Sequence, residues 1–211
     1  MGAILQAQIE AYLSELLPER DAVLRSMEQY AGQHKVPIIG PSCGRLLYQM
    51  ARLVRARRVF ELGSAIGYST LWLARAVGPK GVVYYTDSDP SNARRAEAYL
   101  RRAKVRDRVR ILVGEALARF RETPGQFDLI FNDVAKWQYP AVFRLALSRL
   151  KSGGLFIADN VLWSGRVAQK PAPEDADTRA LQKFNEMIYR STKLVTTIVP
   201  LRDGMAICLK L

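Results

Sequence analysis

From Arg58 onward the chain alternates between a short apolar run and a longer amphipathic segment, and this alternation limits the folds open to it more than any other feature. The runs Val59–Leu62, Val82–Thr86, Val109–Val113, Phe127–Phe131 and Leu155–Ala158 have the length and the β-branched or aromatic content of strands. Between them, Ser69–Val77, Ser91–Ala103, Ala116–Arg121 and Ala141–Leu150 read as helices. Strict alternation predicts parallel strands joined by right-handed crossovers. The ending departs from this rhythm. A helix near Asp177–Tyr189 leads to Leu194–Val199, and Arg202-Asp203-Gly204 turns the chain into Met205–Leu209. Two β-rich runs joined by a short Asp-Gly turn form a hairpin, so the last strand runs antiparallel to its neighbour. The expected fold is α/β: a Rossmann-like seven-stranded sheet, mostly parallel, with an antiparallel C-terminal strand and helices on both faces.

Three helical patterns precede the sheet, roughly residues 3–17, 21–34 and 42–55, separated by Pro18 and the Pro37–Pro41 stretch. At 211 residues the chain fits one domain, residues 1–211, with residues 1–55 as a helical extension packed on it. A hydrophobic fraction of 49% and a charged fraction of 25% exclude global disorder. The two cysteines, Cys43 and Cys208, make neither a disulfide framework nor a metal-ligand pair, which suits a reducing compartment. The start, MGAILQAQIE, lacks the basic region and apolar run of a signal peptide. Gln6 stands where a myristoylation signal wants Ser or Thr. No apolar run reaches membrane-spanning length, and the cytoplasm is the expected location.

The first strand ends in Glu61-Leu62-Gly63-Ser64-Ala65-Ile66-Gly67-Tyr68-Ser69-Thr70. In open α/β sheets ligands bind at the carboxyl ends of the strands. Gly63 and Gly67 let the backbone turn tightly and approach a ligand, and the amides of the next helix then face an anionic group. The second strand ends in Asp87, twenty residues after Gly67. A carboxylate there accepts hydrogen bonds from two ribose hydroxyls. Nicotinamide enzymes share this outline, but their loop reads G-x-G-x-x-G around a pyrophosphate. The G-x-x-x-G spacing here favours a ligand with a carboxylate tail. The competing reading is that these glycines serve helix–strand packing alone. Asp89, followed by Pro90, reads as a helix N-cap.

The fourth strand runs into Asn132-Asp133-Val134-Ala135-Lys136 and the fifth into Asp159-Asn160-Val161-Leu162-Trp163. Both end on the rim that carries the glycine loop. Asp133, Asp159 and Asn160 are hard oxygen donors with no His or Cys beside them. Such a set selects Mg²⁺ first, or Mn²⁺ or Ca²⁺, over zinc. The alternative for each acid is a helix cap or loop hydrogen bond. Lys136 follows Asp133 by three residues. A phenol is largely protonated at neutral pH, and a desolvated lysine beside a cation is suited to take its proton. Without those neighbours Lys136 would read as a surface lysine.

Taken together these residues resemble the cation-dependent O-methyltransferases, the family of catechol and caffeoyl-coenzyme A O-methyltransferases. Val59–Ala74 (VFELGSAIGYSTLWLA) is similar to the family's first cofactor motif, and DNVLWSGRV at residues 159–167 to the segment after its metal-binding pair. The resemblance spans about residue 36 to the C-terminus. It implies S-adenosylmethionine as methyl donor. Asp87 falls at the ribose-holding acid and Ser69 near the methionine carboxylate, with Glu61, Gly63, Ser64 and Gly67 around them. Glu115 falls at the acid near the adenine, Ser88, Gly114 and Ala116 are further candidates for binding the donor, and Asp133 is a candidate for both donor and metal. Asp133, Asp159 and Asn160 match the metal ligands and Lys136 the catalytic lysine. The implied acceptor is a small aromatic, catechol-like hydroxyl compound, with Trp163 and Trp137 as candidate walls, and coenzyme A-type relatives suggest a homodimer.

The chain also departs from the pattern. Ser42-Cys43-Gly44-Arg45 stands where the coenzyme A ester branch carries Asp-Glu-Gly-Gln, and Ala135 replaces the second Asp of its Val-Asp-Ala-Asp run. The loop around Gly165–Asp177 matches no branch well enough to name an acceptor. The net charge of +12 keeps a second reading open, a tRNA hydroxyuridine methyltransferase. Against it, the densest basic run, Arg94–Arg110, together with Arg55, Arg57 and Arg58, should lie at the amino ends of the strands, away from the site. A non-catalytic nucleotide-binding protein explains Lys136 poorly.

Overall fold

The computed structural model describes residues 4–211. Residue 3, where the first helix was expected to start, and the Met-Gly-Ala start used in the leader readings lie outside the described residues. The chain divides into two compact units, Leu16–Pro124 and the residues before Leu16 together with Gly125–Leu211.

In the Leu16–Pro124 unit, α2 (Ala22–His34) is capped by Asp21, whose carboxylate accepts the Val23 and Leu24 N–H groups. Helix α3 (Gly40–Leu53) begins two residues before the expected start. Pro41 sits in its first turn, where a missing N–H costs nothing, so the proline opens the helix and does not hold it off. Then come β1 (Arg58–Leu62), α4 (Tyr68–Val77), β2 (Val82–Asp87), α5 (Pro90–Arg102), β3 (Val109–Val113) and α6 (Ala116–Glu122). The three strands pair in parallel, with Phe60 opposite Tyr84 and Tyr85 opposite Ile111. Val59, Phe60, Val83 and Tyr85 are buried in this layer, and Phe120 of α6 closes on Phe60 with ring centroids 4.6 Å apart. Part of the basic run falls as expected, with Arg58 opening β1 and Arg106–Arg108 in a 3-10 turn directly before β3, whereas Arg94 and Arg95 lie near the start of α5, just after the carboxyl end of β2.

The other unit holds α1 (Ala7–Glu15), β4 (Phe127–Asn132), α7 (Tyr139–Arg149), β5 (Leu150–Ala158), α8 (Ala176–Arg190), β6 (Leu194–Val199) and β7 (Met205–Lys210). Strand β5 runs parallel to β4, and β7 lies antiparallel to both β5 and β6. Strand β5 starts five residues earlier than its apolar run. A register shift between Phe127 and Leu129 admits Lys151–Gly154 into the strand. Phe143 of α7, Phe156 of β5 and Phe184 of α8 form an aromatic core, and Tyr139 meets Phe184 edge-on at 5.3 Å. The seven strands follow the order β3-β2-β1-β4-β5-β7-β6, mostly parallel with antiparallel C-terminal strands, as expected. Among the described residues no helix is long and apolar enough to cross a membrane. Cys43 and Cys208 are both buried, and neither is in a disulfide.

Candidate active site

After β1 the backbone takes three left-handed steps, at Gly63 (φ 84°), Ala65 (φ 43°) and Gly67 (φ 83°). Positive φ is costly for a residue with a Cβ, so Ala65 needs support. It has it on both sides. The Ala65 N–H donates to Asp87 Oδ2 at 3.0 Å, and its carbonyl accepts the Tyr85 hydroxyl at 2.6 Å. Gly67 is required twice over: besides its φ, a Cβ there would lie 2.8 Å from the Ala96 Cβ of α5. The packing reading of this glycine therefore holds. Gly67 leaves the first turn of α4 without a side-chain cap, so those N–H groups face outward for an anion.

Glu61 is fully buried and accepts from the hydroxyls of Ser64 (2.8 Å) and Thr70. In this structure it braces the loop from beneath. Ser64 is likewise spent inward, its Oγ also accepting the Thr86 N–H at 3.1 Å. Asp87 closes β2. Beyond Ala65, its Oδ1 accepts the Asp89 N–H (2.8 Å) and the Asn92 amide (3.2 Å). Lone pairs on a carboxylate outnumber these donors, which leaves capacity for a ribose hydroxyl. Ser69 is buried in the first turn of α4, and Ser88 is exposed after β2. Gly114 donates its N–H to the Asp87 carbonyl at 2.9 Å. Glu115, expected near an adenine, caps α6 by accepting the N–H groups of Leu117 (3.0 Å) and Ala118 (2.6 Å), with Ala116 as the first helical residue. Asp89 caps α5 as expected, accepting the Ser91 N–H at 2.7 Å.

In the other unit Asp133 follows β4, and Asp159 and Asn160 follow β5; the Asp159 N–H donates to the Asn132 carbonyl at 3.1 Å. A 3-10 turn over Lys136–Gln138, not expected from the sequence, buries Lys136 to 8% exposure. Its ammonium donates to Asn160 Oδ1 (2.8 Å), Asp133 Oδ1 (2.9 Å) and the Tyr139 hydroxyl (2.9 Å). The side chain is therefore no surface lysine. It gathers one oxygen from each strand end. Asp159 is buried beside them, and its Oδ1 has no hydrogen-bond partner. Burial pushes the Asp159 carboxyl up to about 7, with the neighbouring Asp133 charge adding to the shift and Lys136 opposing it. Burial likewise raises Asp133, against the pull of Lys136 and Arg202.

An unpaired buried carboxylate oxygen next to a second carboxylate and an amide oxygen is what a hard divalent cation would satisfy. The donor set fits such an ion. Among the described residues no three His, Cys, Asp or Glu side chains gather in one place, so the set rests on two carboxylates and one amide. Trp163 lies partly buried, with Arg166 stacked over its ring at 4.8 Å and Lys136 Nζ at 5.9 Å. Trp137 is 62% exposed, which removes it from any closed wall in this structure.

Two residues here escape sequence reasoning. Tyr139 is fully buried, and its hydroxyl donates to the Asp159 carbonyl at 2.7 Å. Asp203, read as a turn residue, is 4% exposed. Its carboxylate accepts the Ser164 N–H, and its carbonyl accepts the Leu162 N–H at 3.0 Å. It thus fixes a segment with positive φ at Asn160, Trp163, Ser164 and Gly165. Backbone strain of this density is characteristic of functional loops. An aromatic three residues past a lysine and an acid in a hairpin turn carry no signal that would have marked either.

The seven-stranded order with its antiparallel C-terminal pair, a glycine loop after β1 and an acid closing β2 define the fold of the S-adenosylmethionine-dependent methyltransferases. A family model described as O-methyltransferase matches residues 10–211, and the chain belongs to that family and is an O-methyltransferase. It is 32% identical to a catechol O-methyltransferase of Niastella koreensis, over 95% of this chain and 96% of that protein. The O-methyltransferase TomG of Streptomyces achromogenes, solved in complex with SAM, superposes with a TM-score of 0.87 at 30% identity, covering 96% of each chain. An O-methyltransferase of Bacillus cereus in complex with SAH gives 0.87 at 27% identity, covering 97% of each.

Proposed function

We propose that this enzyme transfers a methyl group from S-adenosylmethionine to a hydroxyl of a small aromatic, catechol-like acceptor, with a divalent cation, Mg²⁺ first, held by Asp133, Asp159 and Asn160. One observation carries the reading: Asp133 and Asn160 present oxygens to a single cationic nitrogen while Asp159 Oδ1 lies buried beside them without a partner. The donor binds at the loop after β1. The α4 amides meet its carboxylate, Asp87 takes its ribose hydroxyls, and residues Gly114–Ala116 border its base. When bound, the cation supplies positive charge that favours ionisation of the acceptor hydroxyl.

Lys136, in its neutral form, takes the hydroxyl proton at Nζ. The oxygen then attacks the sulfonium methyl carbon. The O–C bond forms as the C–S bond breaks, and S-adenosylhomocysteine leaves with the electron pair on sulfur. Tyr139 holds the lysine, and orientation of the two reactants supplies much of the acceleration. The proposed location is the cytoplasm, a reducing compartment that suits two cysteines outside any disulfide.

The test is an acceptor screen with S-adenosylmethionine, covering catechols, their coenzyme A esters and undermodified tRNA, each with EDTA or with Mg²⁺ restored. Turnover of a catechol that stops in EDTA and returns with Mg²⁺ is expected. Full turnover in EDTA refutes the metal. Methylation of tRNA alone moves the acceptor to the nucleic-acid class.

A further inference from the structure

Lys136 does more than stand near the oxygen donors. An ammonium has three N–H donors, and here all three are matched, at 2.8 Å to Asn160, 2.9 Å to Asp133 and 2.9 Å to Tyr139. A fourth approach, to the Val134 carbonyl, is longer at 3.4 Å. Two of the three close partners are oxygens that the proposed metal would take. A hard divalent ion bonds such oxygens at about 2.0–2.6 Å, nearer than any hydrogen bond, and repels a cation sharing them.

We infer that Lys136 is the resident cation of this site: its ammonium holds Asp133 and Asn160 together in the metal-free chain and must let go of both when the metal enters. This rests on the metal reading above. Tyr139 gives the released side chain a place to stay. Its hydroxyl accepts from Lys136 and donates to the Asp159 carbonyl at 2.7 Å, so it is anchored independently of the two oxygens that change hands. Metal binding and the freeing of the lysine are then one event. Without metal, the site is shut by its own side chain.

Occupancy by the ammonium lowers the apparent metal affinity by the fraction of time the site is taken. The experiment measures Mn²⁺ binding by electron paramagnetic resonance in wild type, Lys136→Met and Lys136→Arg, with folding checked by circular dichroism. Methionine keeps the length and removes the charge. It should bind Mn²⁺ roughly ten-fold or more tighter than wild type, whereas arginine, still charged, should not. A second measurement needs no variant. Acetic anhydride footprinting of wild type should show Lys136 protected in EDTA and labelled once Mg²⁺ is saturating. If Mn²⁺ binds wild type but no tighter to the folded methionine variant, or if Mg²⁺ leaves Lys136 labelling unchanged, the inference is overturned and the metal reading stands. If no form binds Mn²⁺, both fall.

Discussion

The Tyr139 hydroxyl donates to the Asp159 backbone carbonyl at 2.7 Å, tying the first turn of α7 to the end of β5 at the point where the carboxylate leaves the sheet. Because the same oxygen accepts from Lys136, one phenol sets both the lysine and the strand end. Tyr139→Phe keeps the edge-on contact with Phe184 and removes only this bridge. The expected result is a fall in kcat of roughly ten-fold with little change in KM, and a loss of about 1 kcal/mol in stability. Steady-state kinetics with thermal melts would decide it, and unchanged kcat would remove Tyr139 from the site.

The raised Asp159 carboxyl gives the metal-free protein a defined pH dependence. Below about pH 4, near its ordinary value of 3.8, the carboxyl is protonated folded or unfolded and contributes nothing. Between there and about 7 the unfolded chain sheds the proton while the folded chain keeps it, so stability falls as pH rises, with the full penalty above pH 7. Melts in EDTA should therefore show Tm dropping across this window, and Asp159→Asn should flatten the drop. Each kcal/mol corresponds to roughly 2–4 °C for a chain of this size. A wild-type Tm that rises steadily from pH 4 to 8 in EDTA contradicts the assignment.

At the donor loop, two substitutions separate binding from scaffolding. Gly67→Ala puts a Cβ on a residue at φ 83° and 2.8 Å from Ala96, so it should lower stability by about 1–3 kcal/mol and weaken S-adenosylmethionine binding with it. Asp87→Ala should weaken that binding by roughly 1–3 kcal/mol through the lost charge-assisted hydrogen bonds. It also frees the Ala65 N–H, so part of the loss should appear as a lower Tm. Calorimetry beside melts resolves the two. Tight NADH binding without any S-adenosylmethionine binding would end the reading of this loop.

Helix α1 sets up a prediction about assembly. Ile9, Tyr12 and Leu13 share one helical face and are 43%, 60% and 40% exposed. In a chain of net charge +12, the described residues up to Glu19 carry Glu10, Glu15 and Glu19 and no Lys or Arg. An apolar stripe in an acidic segment of a basic protein is suited to a second copy of the same chain. Light scattering at micromolar concentration should give a homodimer, and Ile9→Glu with Leu13→Glu should give a monomer. A wild-type monomer at that concentration would refute the prediction.

The alternation after Arg58 was enough to give the five parallel strands, because parallel strands buried on both faces read as plain apolar runs. The hairpin was legible from Asp203-Gly204, but its burial was not. Turn composition gives the backbone's direction and says nothing of what later packs over it. The residue types at the strand ends identified the oxygen set. What held Lys136 could not be read, since it depends on a 3-10 turn of three residues with no periodicity of its own. The early start of β5 escaped for a similar reason: Gly153-Gly154 reads as a break, and only the pairing with β4 shows the strand continuing through it.

The position of β7 between β5 and β6 fixes when, in the life of a newly made chain, this enzyme acquires its site. Strand β5 presents Asp159 and Asn160, yet its antiparallel partner begins only at Met205, and the latch on the segment after Asn160 is Asp203. A chain emerging from the ribosome must hold the completed donor loop for more than a hundred residues before the acid end is braced. The brace on the acid end is therefore the last part of the site to be synthesised, and losing the final hairpin would remove the Asp203 contacts with Leu162 and Ser164 while leaving the residues of the donor loop in the chain.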